Sequence, residues 1–387
     1  MAWHRTTLAF FAVFIGIWLT AWPEAAAAPP QIKARAGVLI DAKTGDVLFE
    51  KNSREHNAPA STTKIMTAIL AIESGRLDNP VRVSLRAAAT RGSSMHLYAG
   101  QVLSLHELLS GLLLRSGNDA AVAIAEHLAG TNEAFVAQMN ERARALGATD
   151  THFRNPHGLS APGHYSSAYD LALLARFALA DPTFAALVGS KEISIEWLDR
   201  RGREKDVNLR NTNKLLWMLE EADGVKTGTT GEAGPCLVSS ATRGNHKLIA
   251  VVLNDHSRWY DSMQLLKFGF DNYDLYEYAD QGALIATLPV ESGLAATVDA
   301  VAAAPAALVL PAADYPRVTV EVDLPKKIKA PVYQGQKIGE IIFFVGDKAE
   351  KTVDIVASRE ISERTAVKTF LHGLLRTFRL LAGWGVL

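Results

Sequence analysis

Apolar and polar positions divide the chain into stretches of two periods. Ala36 to Asp41 and Val47 to Glu50 are short apolar runs around a polar turn, Lys43-Thr44-Gly45-Asp46, which is the pattern of a hairpin. Ile65, Met66, Ala68, Ile69 and Leu70 fall at helical spacing, and the helix they predict starts close to Ser61. After a brief alternation at Val81 to Ser84, Leu105 to Leu114 forms a strongly apolar helix. It ends at Arg115-Ser116-Gly117-Asn118-Asp119, Ala120 to Leu128 is helical again, and a further helix covers about Glu133 to Leu146. Thr151 to Tyr169 is rich in turn formers and is expected to be irregular. Asp170 to Leu179 reads as helix, and Ile193 to Ile195 with the basic segment Arg200 to Arg203 reads as a surface hairpin. Cys236 to Ala241 and Leu248 to Leu253 flank a polar turn, Arg243-Gly244-Asn245, and predict adjacent antiparallel strands; Ser262 to Phe270 closes the unit as a helix.

At about Asp274 the pattern changes. Short β-like stretches (Leu284 to Leu288, Leu308 to Leu310, Val318 to Val322, Ile338 to Val345, Thr352 to Val356) alternate with Gly and Pro, and an Ala/Pro-rich segment, Ala300 to Pro311, lies among them. This predicts a small β-rich domain over 280–360, after a first domain over 28–275. The last stretch, 364–387, returns to helical period. Val367, Phe370, Leu371, Leu374, Phe378 and Leu381 share one face, with Lys368, His372, Arg376 and Arg379 on the other. A basic face opposite an aromatic and leucine face fits a helix lying in the membrane interface; the alternative is a terminal helix docked on the protein. Arg376 and Arg379 argue against a full span.

The N-terminus sets the expected compartment. His4 and Arg5 precede an apolar run from Leu8 to Trp22, and Ala25 to Ala28 supply a small-residue site. This is the form of a secretory signal peptide over 1–27, cleaved at about Ala27 or Ala28; an uncleaved anchor is the alternative. The mature protein is then expected in the periplasm or on the outer face of the cytoplasmic membrane, held peripherally.

Composition adds little beyond exclusions. The 387 residues suffice for two domains, and a net charge of -1 gives no reason to expect nucleic acid. The single cysteine, Cys236, rules out an internal disulfide.

The candidate chemistry lies in three short motifs. Ser61-Thr62-Thr63-Lys64 puts a serine and a lysine on one helix face, and a neutral lysine amine can take the proton that a serine must lose to become a nucleophile. Ser116-Gly117-Asn118 lies in a break between two helices, and Lys226-Thr227-Gly228 precedes a strand pair. Each alone is weak: a cap serine with a surface lysine, a turn, a strand end. In this order and context they resemble the serine penicillin-recognising enzymes, and more closely the low-molecular-weight penicillin-binding proteins that are D-alanyl-D-alanine carboxypeptidases. Pro59-Ala60 before the nucleophile, Asn155 to Leu159, Tyr165 to Ala168, Asn211 to Leu216 and Asp223-Gly224-Val225 extend the resemblance over almost the whole mature chain.

The resemblance implies an α+β fold: a β-lactamase/transpeptidase-like catalytic domain, its antiparallel sheet flanked by helices, then a small β-rich domain and a C-terminal amphipathic helix. It implies Ser61 as the acylated nucleophile, Lys64 as general base and Ser116 as proton relay. Asn118 would hold a substrate amide, Lys226 and Thr227 the terminal carboxylate, and Gly228 would let an extended peptide reach the strand edge. The oxyanion hole would be the N–H groups of Ser61 and Thr229, at about 3 kcal/mol per donor. The implied substrate is the peptidoglycan pentapeptide, the implied inhibitors are β-lactams, and no cofactor or metal is called for. Two positions depart from common family forms: Thr229 stands where histidine is frequent, and Thr212 where some members carry a substrate-binding arginine, so no role is carried to Thr212.

Rivals remain at this level. A class A β-lactamase would need a Glu-x-x-x-Asn element, and Asn155 has Thr151 at that spacing. A silent peptidoglycan-binding protein would not need all the motif side chains, and an endopeptidase shares the same motifs. His152, His157 and His164 cluster in sequence but match no zinc-peptidase spacing. Cys236 reads as a buried small apolar residue in a strand, within possible reach of thiol reagents from the motif side.

Overall fold

The structure, a computed structural model, describes residues 28–199 and 201–364. The expected leader, 1–27, and the amphipathic segment from residue 365 onward lie outside the described residues.

The first domain is a sheet between two helical layers. The hairpin β1 (Ala36–Asp41) and β2 (Val47–Lys51) leads into a 3-10 turn, Ala60–Thr63, and helix α1 (Lys64–Glu73). Short strands β3 (Pro80–Arg82) and β4 (Val102–Ser104) bracket α2 (Leu85–Ala88). Four longer helices follow: α3 (Leu105–Leu114), α4 (Asn118–Ala129), α5 (Asn132–Ala145) and α6 (Ala168–Leu179). The start of α3 is locked by a capping box in which Ser104 and Glu107 each satisfy the other's backbone N–H. A helix absent from the sequence reading, α7 (Pro182–Gly189), starts on Asp181, whose carboxylate accepts from Thr183 N and Phe184 N. The surface hairpin is longer than expected, with β5 (Glu192–Leu198) and β6 (Glu204–Arg210).

After the single turn α8 (Leu215–Met218) come β7 (Ala222–Thr230), β8 (Gly234–Arg243), β9 (His246–Leu253) and α9 (Arg258–Asn272). The sheet order is β2-β1-β9-β8-β7, with every neighbouring pair antiparallel. Successive strand residues face opposite sides, and here both sides are covered. Ile249, Val251 and Leu253 of β9 join the core of α1 and α3 to α6; Leu248, Ala250 and Val252 join a second core with Leu265 and Leu266 of α9. That is why β9 reads as an unbroken apolar run rather than an alternation. One consequence positions the site: β7 is an edge strand, open on one side.

The chain passes from α9 directly into the second domain at β10 (Tyr273–Ala279). Then come β11 (Leu284–Glu291), β12 (Thr297–Ala302), β13 (Ala306–Pro311), β14 (Val318–Asp323), β15 (Ile328–Lys329), β16 (Lys337–Val345) and β17 (Lys348–Ala357). Six of these form a sheet in the order β14-β16-β17-β12-β11-β15, and β10 pairs with β13. The Ala/Pro-rich segment Ala300 to Pro311 holds the end of β12 and all of β13, of which the sequence pattern predicts only Leu308 to Leu310 as β-like. Ala300, Ala302 and Ala306 are buried in the domain's own core, where small side chains let the layers close up. Lys43 ties the two domains, bridging to Glu277 at 2.6 Å and Asp280 at 2.5 Å.

Candidate active site

Pro59 and Ala60 turn the chain sharply into the helix. Ala60 takes a positive φ of 48°, Thr62 Oγ1 donates to Pro59 O at 2.6 Å, and Thr63 Oγ1 donates to Ala60 O at 2.8 Å. These bonds hold Ser61 in the 3-10 turn with its side chain partly exposed, while Lys64, the first residue of α1, is fully buried.

Lys64 Nζ lies 2.9 Å from Ser61 Oγ, 2.7 Å from Asn118 Oδ1 and 2.6 Å from the carbonyl of His157. Three elements converge on this one nitrogen. Asn118 arrives at the first position of α4, and its Nδ2 donates to Arg91 O at 2.7 Å. His157 arrives through an Asx turn: Asn155 Oδ1 accepts from Gly158 N at 2.7 Å, and Asn155 Nδ2 donates to Leu159 O at 2.8 Å. Gly158, with φ 89°, packs so closely on Ala60 O that no Cβ fits there. The Asn155 to Leu159 signature thus delivers a carbonyl to the lysine, a role the sequence reading did not give it.

Ser116 sits between α3 and α4 with a positive φ of 61° and is 6% exposed. Among the described residues its hydroxyl makes no hydrogen bond; the network from Ser61 through Lys64 runs to Asn118 and His157 instead. Next to it, Asp119 is fully buried and accepts from Ser94 Oγ at 2.6 Å, Met95 N at 3.0 Å and Leu97 N at 3.1 Å. Asp119 therefore fixes the 93–97 segment beside Asn118, and no motif pointed to it.

The third motif forms the wall opposite. Lys226 is buried in β7 and donates to Thr227 O at 3.1 Å. A Cβ on Gly228 would stand 3.0 Å from both Ala60 Cβ and Ser61 N, tighter than ordinary contact, so glycine lets the strand and the Ser61 turn lie this close. This is a second demand on Gly228, beside access to the strand edge. Thr227 Oγ1 lies 3.0 Å from Thr212 Oγ1, and Asn213 Nδ2 donates to Gly224 O at 2.8 Å, so the Asn211 to Asn213 segment braces β7. Thr229 is exposed, and its hydroxyl donates to Gly228 O at 2.6 Å.

Sequence reasoning missed Arg258. From the first turn of α9, its Nη1 donates to Gly228 O and to Thr229 Oγ1, both at 2.9 Å, and to Cys236 O at 3.2 Å. A lone arginine after a strand carries no motif; only the register that sets Cys236 beside Gly228 brings it here.

Electrostatics follow from burial. Desolvation, and then the charge of Lys226, push the Lys64 amine well below the usual lysine range, against the weaker pull of Asp119. Burial, and then Arg258, lower Lys226 to about 7. Burial, then Lys64 and His164, lower His157 to about 3. His164 accepts from Arg154 N at Nδ1 (2.9 Å) and meets Thr63 Oγ1 with Nε2 (3.0 Å), so it is a neutral structural imidazole carrying its proton on Nε2. Among the described residues no group of three or more His, Cys, Asp or Glu is arranged to hold a metal ion. Cys236 is fully buried, and burial pushes its thiol up to about 11; it is not reachable from the motif side as the sequence had allowed.

Comparison with known proteins bears on the same residues. Residues 23–257 match the family described as D-alanyl-D-alanine carboxypeptidase, and residues 273–363 match the penicillin-binding protein 5 C-terminal domain. The D-alanyl-D-alanine carboxypeptidase DacF of Bacillus subtilis is 36% identical over 348 residues, 88% of each chain. DacD of Escherichia coli is 36% identical over 352 residues, 87% of this chain and 88% of its own. The crystal structure of penicillin binding protein 5 from Haemophilus influenzae superposes with a TM-score of 0.73 at 30% identity, covering 87% of this chain and 100% of that one.

Proposed function

The chain belongs to the D-alanyl-D-alanine carboxypeptidase family, and from that membership we propose that it removes the terminal D-alanine of peptidoglycan stem peptides through an acyl-enzyme on Ser61. The observation that carries this reading is the environment of Lys64 Nζ. A neutral amine has two N–H groups and one lone pair. The two N–H groups can go to Asn118 Oδ1 and His157 O, which leaves the lone pair for the Ser61 hydroxyl proton.

An extended peptide laid along the open edge of β7 brings its penultimate carbonyl to Ser61. Ser61 Oγ bonds to that carbon as Lys64 takes its proton. The negative charge developing on the carbonyl oxygen is held by the N–H groups of Ser61 and Thr229. Collapse breaks the C–N bond, the departing amine of D-alanine takes the proton that Lys64 removed from Ser61, with the Ser116 hydroxyl turning in as the relay once substrate is bound, and water then hydrolyses the ester. Lys226 and Thr227, with Arg258 beside them, make the cationic end that suits the terminal carboxylate. The second N–H of Asn118 Nδ2, which has no partner among the described residues, can meet a substrate amide. A β-lactam presents a carboxylate and a strained amide to the same groups, so it acylates Ser61 and inhibits.

The leader over 1–27 and the basic amphipathic tail support an exported enzyme held at the outer face of the cytoplasmic membrane. The test of the site is a fluorescent penicillin added to the wild type and to Ser61→Ala. Labelling of the wild type that maps to Ser61 and is lost in the variant is expected; labelling that persists in Ser61→Ala sinks the assignment.

A further inference from the structure

Arg258 reaches the edge strand from the first turn of α9, so whatever fixes that turn fixes Arg258. Asp255 closes the corner between β9 and α9. Its N–H donates to Pro235 O at 2.8 Å, its carbonyl accepts from Arg258 N at 3.1 Å, and its Oδ1 accepts from Ser257 N at 2.8 Å. The side chain is fully buried, and Oδ2 meets no N–H or hydroxyl donor among the described residues. The acid that acts on it is a second buried carboxyl, Asp261, in the first turn of α9. Asp261 gives its own Oδ2 to the backbone N–H groups of Lys33 and Ala34, at the start of the described chain. Two such carboxylates repel; one shared proton turns the repulsion into a hydrogen bond.

We propose that Asp255, through its hydrogen bond with Asp261, is a positioning residue that sets the pose of Arg258 at the end of β7 where the substrate's carboxylate binds. This rests on the reading of β7 given above. Burial, and then Asp261, push the Asp255 carboxyl up to about 6, against the Ser257 N–H. The charged and titratable groups that face it are Asp261 on α9, His256 in the corner itself, the Arg258 guanidinium and the Cys236 thiol of β8. Above that pH the proton leaves. Two adjacent negative charges then loosen the corner, and the charge on Asp255 offsets part of the positive field of Arg258. Binding of a carboxylate weakens, while the chemistry at Ser61 and Lys64 does not change.

The experiment measures KM and kcat of the full-chain enzyme on a short peptide ending in D-Ala-D-Ala, for wild type, Asp255→Asn and Asp255→Ala, from about pH 5 to about pH 8. Active sites are counted by penicillin titration. Asparagine keeps the acceptor for Ser257 N and offers an N–H to Asp261, so it imitates the protonated carboxyl at every pH. Wild-type KM is expected to rise about tenfold as pH passes through the titration of Asp255, the loss of one charge-assisted contact. Asp255→Asn loses that rise and keeps the separate limb that Lys226 contributes near 7. Asp255→Ala starts with KM raised about tenfold at the acid end, with kcat per titrated site unchanged. A peptide whose terminal carboxylate is replaced by an amide shows no difference between wild type and Asp255→Asn. Superimposable KM profiles for wild type and Asp255→Asn overturn the proposal, as does a loss in Asp255→Ala confined to the number of titratable sites. If wild-type Ser61 fails to titrate with penicillin at all, the reading of the site itself falls and takes this proposal with it.

Discussion

Lys64 stands 2.9 Å from Ser61 Oγ, and among the described residues none of its hydrogen bonds goes to a carboxylate. A buried lysine paired with a carboxylate would stay charged; this one is set among an amide oxygen, a carbonyl and a hydroxyl, all of which a neutral amine can satisfy.

The pH dependence of acylation follows from the two lysines. Lys64 must be neutral, so the rate rises as pH climbs through its lowered pKa. Lys226 must be charged to hold a carboxylate, so recognition declines as pH climbs through about 7. Stopped-flow acylation by a penicillin is expected to give a bell. In Lys226→Ala the alkaline limb near 7 disappears, and in Lys64→Ala the rate falls by about 10²- to 10⁴-fold, the usual worth of a general base. A normal rate in Lys64→Ala requires another base.

Gly228→Ala tests the contact between strand and nucleophile turn. The new Cβ lands 3.0 Å from Ser61 N, so β7 and the Ser61 turn must give way by a few tenths of an ångström. Acylation is expected to drop about tenfold, short of the roughly 100-fold of a 1 Å misplacement, with the melting temperature little changed. Wild-type acylation in this variant means the two segments are looser than described.

Cys236 is expected to ignore a thiol reagent at neutral pH in the native enzyme and to react once denaturant is added, because the sulfur is buried and its thiolate disfavoured. Mass spectrometry after a timed exposure reads the outcome. Rapid native labelling means that β8 opens beside the site.

Ending the chain after Arg364 removes the basic amphipathic tail and leaves the three hydrophobic cores of the described residues whole. The truncated protein is expected to move from the membrane fraction to the soluble fraction while still binding penicillin. Unchanged membrane association contradicts the interfacial reading of the tail.

What the sequence revealed, and what it hid, depends on where each signal sits. The three motifs were legible because local pattern placed each one: Ser61 before an apolar helix, Ser116 to Asn118 between two helices, Lys226 to Gly228 ahead of a strand pair. The bounds of α3 were legible because its apolar run is uninterrupted and its start carries the Ser104 and Glu107 cap. Arg258, Asp119 and the carbonyl of His157 were not, since each reaches the site through register or a turn rather than through neighbours in the chain. A start signal for α7 was present in Asp181-Pro182 and went unused. β12 was hidden, and β13 was legible only at Leu308 to Leu310, because alanine lacks the branched bulk that marks a strand, yet suits a thin, buried layer.

The open side of β7 has a consequence for selectivity. An unpaired strand edge offers a row of backbone donors and acceptors, and only a chain that is itself extended can meet them. Folded proteins have their backbone groups already paired and are turned away before any side chain is read. On the proposed reading, with the substrate laid along this edge, the edge is a filter on conformation: it would sort loose peptide ends from structured chains, and leave the choice among loose ends to the cations and hydroxyls around Gly228.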